Sequence, residues 1–405
     1  MRRIALIAAA AMLVLHVSCE KKPVNNPEDW SKYYQNTDPD NNTTDPGAGQ
    51  VPEDKDYPDR TAPEGASDMV LIYGGSTHRS PVNWPESYLK DYVRYTDKSG
   101  RDHWFFDGFL LLEFMMTQYN KTLITGYQEN GVYLHSATRE VWEALIDYYF
   151  QEGSGVDALD AAVKSCAQTM GTPPSKRKVV IGIPEPIMME DSHGNTGGSD
   201  YWGSIDGERM DFSVTADRVK AVKWYIDRIR ERFLAKDYEY VELTGFYWVA
   251  EKATQTRDMI RSVADYLHTM NYAFSWIPYF NADGFADWKQ FGFDFGYLQP
   301  NYFFYNNTFD RLAVACDMAN RANMGMEVEF DGNAVSANGY KLGYKLHDYL
   351  SEFKKYGIWE KRRVVYYQGS WALRWLKNSP SEADVDLYHE LGEWVTSRPI
   401  REENQ

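Results

Sequence analysis

The sequence predicts an α/β fold: a (β/α)8 TIM barrel over residues 67–405, preceded by a signal peptide and a flexible tether. Three observations carry that prediction. Short β-branched or aromatic runs alternate with longer segments of helical period, the pattern of βα units around a parallel sheet. Eight such units follow one another, and a barrel of this kind spans from about 200 to over 400 residues. The turn after the first run, Tyr73-Gly74-Gly75-Ser76, lacks the Gly-rich phosphate fingerprint by which an open doubly wound sheet announces itself.

The chain begins Met1-Arg2-Arg3 and continues with a small-apolar run from Ile4 to Leu15. This is the charged n-region and short h-region of a secretory signal, and it falls short of the roughly 20 apolar residues that span a bilayer. Leu15-His16-Val17-Ser18-Cys19 resembles a bacterial lipobox, with His16 where that pattern prefers an aliphatic residue. Residues 1–18 are therefore read as a lipoprotein signal peptide and Cys19 as the lipidated residue. The expected location is the outer membrane or cell surface, with a lipid anchor in a bacterial membrane. Residues 19–66 are rich in Asn, Asp, Pro, Thr and Gly and cannot bury enough apolar area to offset chain entropy, which makes them a tether.

From residue 67 the strand candidates are 69–73, 104–112, 178–183, 240–248, 272–278, 293–298, 325–330 and 363–367. The clearest helices between them are 138–150, 213–233, 254–270, 309–323, 341–356 and 383–396. The formal net charge is -16 and no dense Lys/Arg cluster follows the first residues. That balance argues against nucleic acid as a partner and suits a neutral ligand. No phosphate-loop, zinc-protease, nucleophile-elbow or EF-hand pattern occurs, so no cofactor and no metal are expected. Cys166 and Cys316 have no zinc-type spacing and read as buried free thiols.

In such a barrel the C-terminal strand ends face a common mouth, and position selects the candidates. The fourth run places Glu251 just beyond its strand, in Trp248-Val249-Ala250-Glu251. The seventh, Gly325-Met326-Glu327-Val328-Glu329, puts two glutamates on one face by period-2 alternation. A carboxylate in a buried strand must be paired, hydrogen-bonded or functional. Two carboxylic acids facing each other across a sugar are the minimum equipment for glycoside hydrolysis. Glu251 and Glu329 are the catalytic candidates, and Glu327, one pleat deeper, reads as an orienting group. The bland alternatives are a first-turn helix glutamate favoured by the macrodipole for Glu251, and for Glu329 a paired structural carboxylate, with an arginine of the neighbouring strand such as Arg363 as one partner.

Other strand ends offer substrate contacts: His78 and Arg79 after the first, Trp104, Asp107 and Glu113 on the second, Trp276 and Tyr279 on the fifth, and Gln299, Asn301 and Tyr302 on the sixth. With 13 Trp and 30 Tyr the chain has many aromatic faces able to stack on sugar rings. Trp202, Trp248, Trp276 and Trp371 are placed near the mouth, although aromatics also fill cores. The long loop 184–211 contains Glu190-Asp191-Ser192-His193-Gly194-Asn195 and is read as a lid over a glycan.

Phe106-Asp107-Gly108-Phe109-Leu110, Gly245-Phe246-Tyr247-Trp248-Val249-Ala250-Glu251, Trp276-Ile277-Pro278-Tyr279, Gln299-Pro300-Asn301-Tyr302 and Gly325-Met326-Glu327-Val328-Glu329 together resemble a domain-of-unknown-function family. That family occurs in lipoproteins of gut Bacteroidetes and in some larger secreted Gram-positive proteins. The resemblance implies a glycoside-hydrolase-like barrel in a setting of polysaccharide use. A broader similarity is to the large retaining glycosidase clan, which sets its acid after strand four and its nucleophile at the end of strand seven. Glu251 and Glu329 match those positions, while Ala250 stands where the clan usually carries an asparagine. The resulting expectation is a retaining glycoside hydrolase acting on an extracellular polysaccharide or oligosaccharide. The alternative is a non-catalytic glycan-binding lipoprotein on the same scaffold.

Overall fold

The computed structural model describes residues 65–126, 128–129, 132–189, 199–305 and 310–404. The expectations for the signal peptide, for Cys19, for the tether up to residue 64 and for the Glu190–Asn195 part of the lid lie outside the described residues.

Eight parallel strands form a closed barrel. They are β1 (Asp68–Tyr73), β2 (Gly108–Leu112), β3 (Arg177–Ile183), β4 (Val241–Trp248), β5 (Ala273–Trp276), β6 (Phe295–Leu298), β7 (Gly325–Glu329) and β8 (Val364–Tyr367). Strands adjacent in sequence are adjacent in space, and β8 closes the ring on β1 with Asp68 opposite Val364. Around it lie α1 (Glu86–Val93), α2 (Arg139–Tyr149), α3 (Gly155–Met170), α4 (Thr215–Lys236), α5 (Ile260–His268), α6 (Asp310–Arg321), α7 (Gly343–Lys355), α8 (Ile358–Lys361), α9 (Ala372–Lys377) and α10 (Glu382–Thr396). The fold class is the predicted (β/α)8 barrel.

Two of the expected elements change shape. The 104–112 run divides: Asp102–Trp104 pairs antiparallel with Arg94–Thr96, and the barrel strand starts only at Gly108. The 254–270 helix begins at Ile260, because the chain before it makes turns anchored by the Ala253 N–H on the Asp283 carbonyl.

Each strand alternates between two apolar layers. Met69, Leu71, Tyr73, Leu110, Leu112, Val180, Tyr247, Val365 and their neighbours fill the barrel. Val70, Ile72, Val179, Ile181, Phe246, Phe274, Met326 and Val328 pack outward against the helices. With both faces buried, the strands read as nearly continuous apolar runs, each large side chain contributing about 1.5–3 kcal/mol by leaving water. At Gly245 a Cβ would stand 2.4 Å from the Ala273 carbonyl oxygen, so only glycine lets β4 approach β5 so closely.

The N-terminal end of the barrel is closed by charge. The buried Asp68 carboxylate accepts from the Tyr366 hydroxyl at 2.5 Å, from Arg401 at 3.3 Å and from Arg398. Asp107 accepts from the backbone N–H groups of Ser67 and Asp68 at 2.8 and 2.7 Å. The segment after α10 thereby seals this end, leaving the opposite one to form the mouth. Among the described residues no helix is long and apolar enough to cross a membrane.

An acidic mouth as candidate active site

The pleat of β7 sends Met326 and Val328 toward the helices, so Glu327 and Glu329 face the barrel axis. Both are buried, 2% and 3% exposed. Glu329 ends the strand and its Oε2 accepts a 2.6 Å hydrogen bond from the Tyr349 hydroxyl of α7. Glu327 lies one pleat deeper, and its buried Oε1 has no hydrogen-bond partner among the described residues. Burial, followed by the neighbouring charges of Glu329 and Glu251, pushes the Glu327 carboxyl well above the usual carboxylate range.

Along β4 and beyond it, Tyr247 and Val249 face inward, and Glu251 follows in the same alternation past the strand end. Its Oε1 accepts from Gln299 Nε2 at 2.9 Å. Gln299 is fixed in turn by its N–H on the Pro278 carbonyl at 2.9 Å. Because α5 starts only at Ile260, Glu251 is not a first-turn helix residue. Arg363 does not pair with Glu329 either; it donates to the Gly65 and Ala66 carbonyls at the other end of the barrel. The first-turn reading of Glu251 fails on position, and the partner of Glu329 is the Tyr349 hydroxyl rather than Arg363, with the charges of Arg311 and Lys345 also in its field.

Across the mouth, Arg79 grips Glu113 through two bonds, 2.6 and 2.9 Å long, while its guanidinium lies 4.4 Å from the centre of the Tyr73 ring. Their side chains are 11% and 0% exposed. His78 beside them is exposed and meets Ser76 Oγ at 2.8 Å. Between these walls Tyr73 and Tyr247 come from β1 and β4. Burial first, then their acidic and phenolic neighbours, Glu327 among them for both, push their hydroxyls well up, so they remain neutral phenols.

Helix α7 holds one side of the mouth with three residues of a single face, at i, i+3 and i+4. Lys345 Nζ donates to the carbonyls of Tyr302, Phe303 and Tyr305 at 3.1, 3.0 and 2.7 Å. Asp348 accepts from the Tyr302 hydroxyl at 2.6 Å, and Tyr349 reaches Glu329. Buried Asn301 supports the same loop with a left-handed backbone, φ 53°.

Five of the substrate contacts expected from the sequence have other surroundings than a mouth. Trp104 and Asp107 precede β2 and so stand at the sealed N-terminal end; the Trp104 carbonyl accepts from Arg401 at 3.2 Å and its ring lies beneath Arg177. Trp248 and Trp276 point outward into the helix layer, where their indole N–H groups meet Thr256 Oγ1 and the Ala250 carbonyl at 3.3 and 2.7 Å. Trp202 is buried in an outer cluster with Trp142, Phe212 and Trp224. Tyr279, by contrast, follows β5 at the mouth end, bridged to Gln299 and partly buried. Trp371 follows β8 and is half-buried against Tyr88 and Trp375. Tyr73, Tyr247, Tyr349 and the buried Glu185, which accepts from Thr125 N–H at 2.6 Å, are mouth-end groups that sequence reasoning missed.

The arrangement is that of a (β/α)8-barrel protein whose mouth gathers three acids from two strand ends over a phenolic floor. Such a set can hold one acid protonated and another ionised across a bound ring, the division of labour that acid–base hydrolysis needs. Among the described residues no group of three or more His, Cys, Asp or Glu side chains is arranged to hold a metal ion.

The model for a domain of unknown function, DUF4855, matches residues 68–393, and the chain belongs to that family. Among curated proteins none matches it. Among solved structures it is similar in shape to a Bacteroides thetaiotaomicron protein described as a "putative alpha-L-fucosidase", with TM-score 0.41 and 12% identity over 85% of this chain and 98% of that one. A mutant tryptophan synthase alpha-subunit of Pyrococcus furiosus gives TM-score 0.32 and 10% identity over 81% and 97%.

Proposed function

We propose that the barrel is a retaining glycoside hydrolase acting on an extracellular polysaccharide or oligosaccharide. The observation that carries this reading is the meeting of Glu251, beyond β4, with Glu327 and Glu329 of β7 at one mouth, close enough that both outer acids raise the inner one. In the first step Glu329 attacks the anomeric carbon while Glu251 protonates the departing glycosidic oxygen, so one C–O bond forms as the other breaks. In the second, Glu251 takes a proton from water, whose oxygen displaces Glu329 and releases the sugar. Tyr349 and Gln299 fix the two carboxylates before substrate arrives. The signal-like residues 1–18 and the composition of 19–66 support an exported chain, lipid-anchored through Cys19 and presented to glycans outside the cell.

The test is release of sugars from a panel of plant and host polysaccharides by residues 20–405, read by chromatography beside Glu251→Gln and Glu329→Gln. Release by the parent protein alone supports the assignment. Silence across the panel with glycan binding retained would replace it with the non-catalytic glycan-binding reading.

A further inference from the structure

The two-carboxylate reaction leaves one buried acid without a task. Glu327 faces the barrel axis, 2% exposed, with Oε1 lacking a partner among the described residues. A neutral polar group left in that condition costs about 1–3 kcal/mol, and a charged one costs more. A ligand atom at this point would relieve the cost. The titratable groups that face Glu327 come from every side of the mouth: Tyr73 from β1, Tyr247 from β4, Glu251 beyond β4, Glu329 from β7 and Tyr349 from α7. These are phenols and acids, and the cations bordering them are already engaged: Arg79 by Glu113, Lys345 by three backbone carbonyls, and Arg311 over the Phe280 ring and in the field of Glu329.

We propose that Glu327 is the floor of the deepest sugar subsite, where its buried, unpartnered carboxyl oxygen meets a hydroxyl of a neutral ring, so that the site takes neutral sugars and rejects uronic acids. The inference rests on the hydrolase reading only in taking the ligand to be a sugar. Its geometric support is the free oxygen aimed into the barrel beneath Glu329. The crowding of acids supplies the rest, because burial and two like charges favour the protonated form. A protonated carboxyl donates one hydrogen bond and accepts others, as a sugar hydroxyl does. A ring carrying its own carboxylate would instead bring a further negative charge up to Glu251 and Glu329, and like charges so placed repel.

Two measurements on residues 20–405 test this. Infrared difference spectra between the parent protein and Glu327→Gln at neutral pH should contain the carbonyl band of one protonated carboxyl group. Calorimetric binding of methyl glycosides of neutral hexoses and pentoses should weaken for the parent as rising pH ionises Glu327, and stay level for Glu327→Gln. Glu327→Leu should bind at least about tenfold more weakly, and glucuronic and galacturonic acid should not bind to the parent. Absence of the carbonyl band, uronic acids binding as tightly as neutral sugars, or Glu327→Leu binding like the parent would each overturn the inference. Sugar release that Glu329→Gln abolishes but Glu327→Leu leaves intact would sink it and leave the hydrolase reading standing. Binding that depends on Glu327 without release from any polysaccharide would do the reverse.

Discussion

The Tyr349 hydroxyl donates a 2.6 Å hydrogen bond to Glu329 Oε2, tying helix α7 to the acid that ends β7. Both residues are buried, so the bond is shielded from competing water. Tyr349→Phe leaves the Glu329 oxygen without this donor, and hydrogen bonds to charged groups are worth about 1.5–3 kcal/mol. The expected result is a stability loss in that range by denaturant titration. Sugar release should fall through kcat, with KM little changed, because the ring that shapes the wall is kept.

Glu327 links stability to pH. Its carboxyl in the folded protein is raised above the unfolded value, so the folded state holds its proton where the unfolded state has lost it. The stability it allows is fully present below the unfolded value and is lost as pH rises toward the folded one, at up to about 1.4 kcal/mol per pH unit. Glu327→Gln removes that slope. Thermal melts should show the variant level with the parent in acid and increasingly more stable as pH rises; a constant difference at every pH would refute the assignment.

The Arg79–Glu113 pair is buried on both sides. Removing one partner strands the other charge at a cost of about 3–5 kcal/mol, whereas replacing both with apolar groups of similar volume restores most of it. Arg79→Met and Glu113→Leu should each lower the melting temperature strongly, and the double variant less than either.

At the sealed end, Asp68→Asn takes the negative charge from beneath Arg398 and Arg401, both fully buried. A loss of about 3–5 kcal/mol is expected in denaturation. Sugar release measured well below the melting temperature should be unchanged, since this network lies at the end away from Glu329.

Much of the barrel was legible because buried parallel strands are nearly continuous β-branched and aromatic runs, and an acid inside such a run stands out. Glu327 and Glu329 stand out that way, and Glu251 by its place just past the fourth run. The tryptophans were misread through alternation: Trp248 is three residues from Glu251, an odd separation, so the two point to opposite faces. Trp104 and Asp107 were misread because an aromatic run does not mark where its strand begins, and the one here begins at Gly108. Helix α3 was not among the clearest helices because much of its buried stripe, Ala158, Ala162 and Cys166 among it, is made of small side chains. No local pattern could have linked Tyr349 to Glu329, since that contact depends on how α7 docks after the chain has turned back.

The grip of Lys345, Asp348 and Tyr349 has an evolutionary corollary. One helical face anchors both the loop after β6 and the acid of β7. A descendant that exchanges this loop must bring α7 with it or lose the alignment of Glu329, so this quarter of the barrel is inherited as a block. The segments after β1, β2 and β3 hold one another instead, through Arg79 with Glu113 and through Glu185 with Leu123 and Thr125. Diversification within the family should therefore accumulate there, on the side of the mouth that can be rewritten without disturbing the acids.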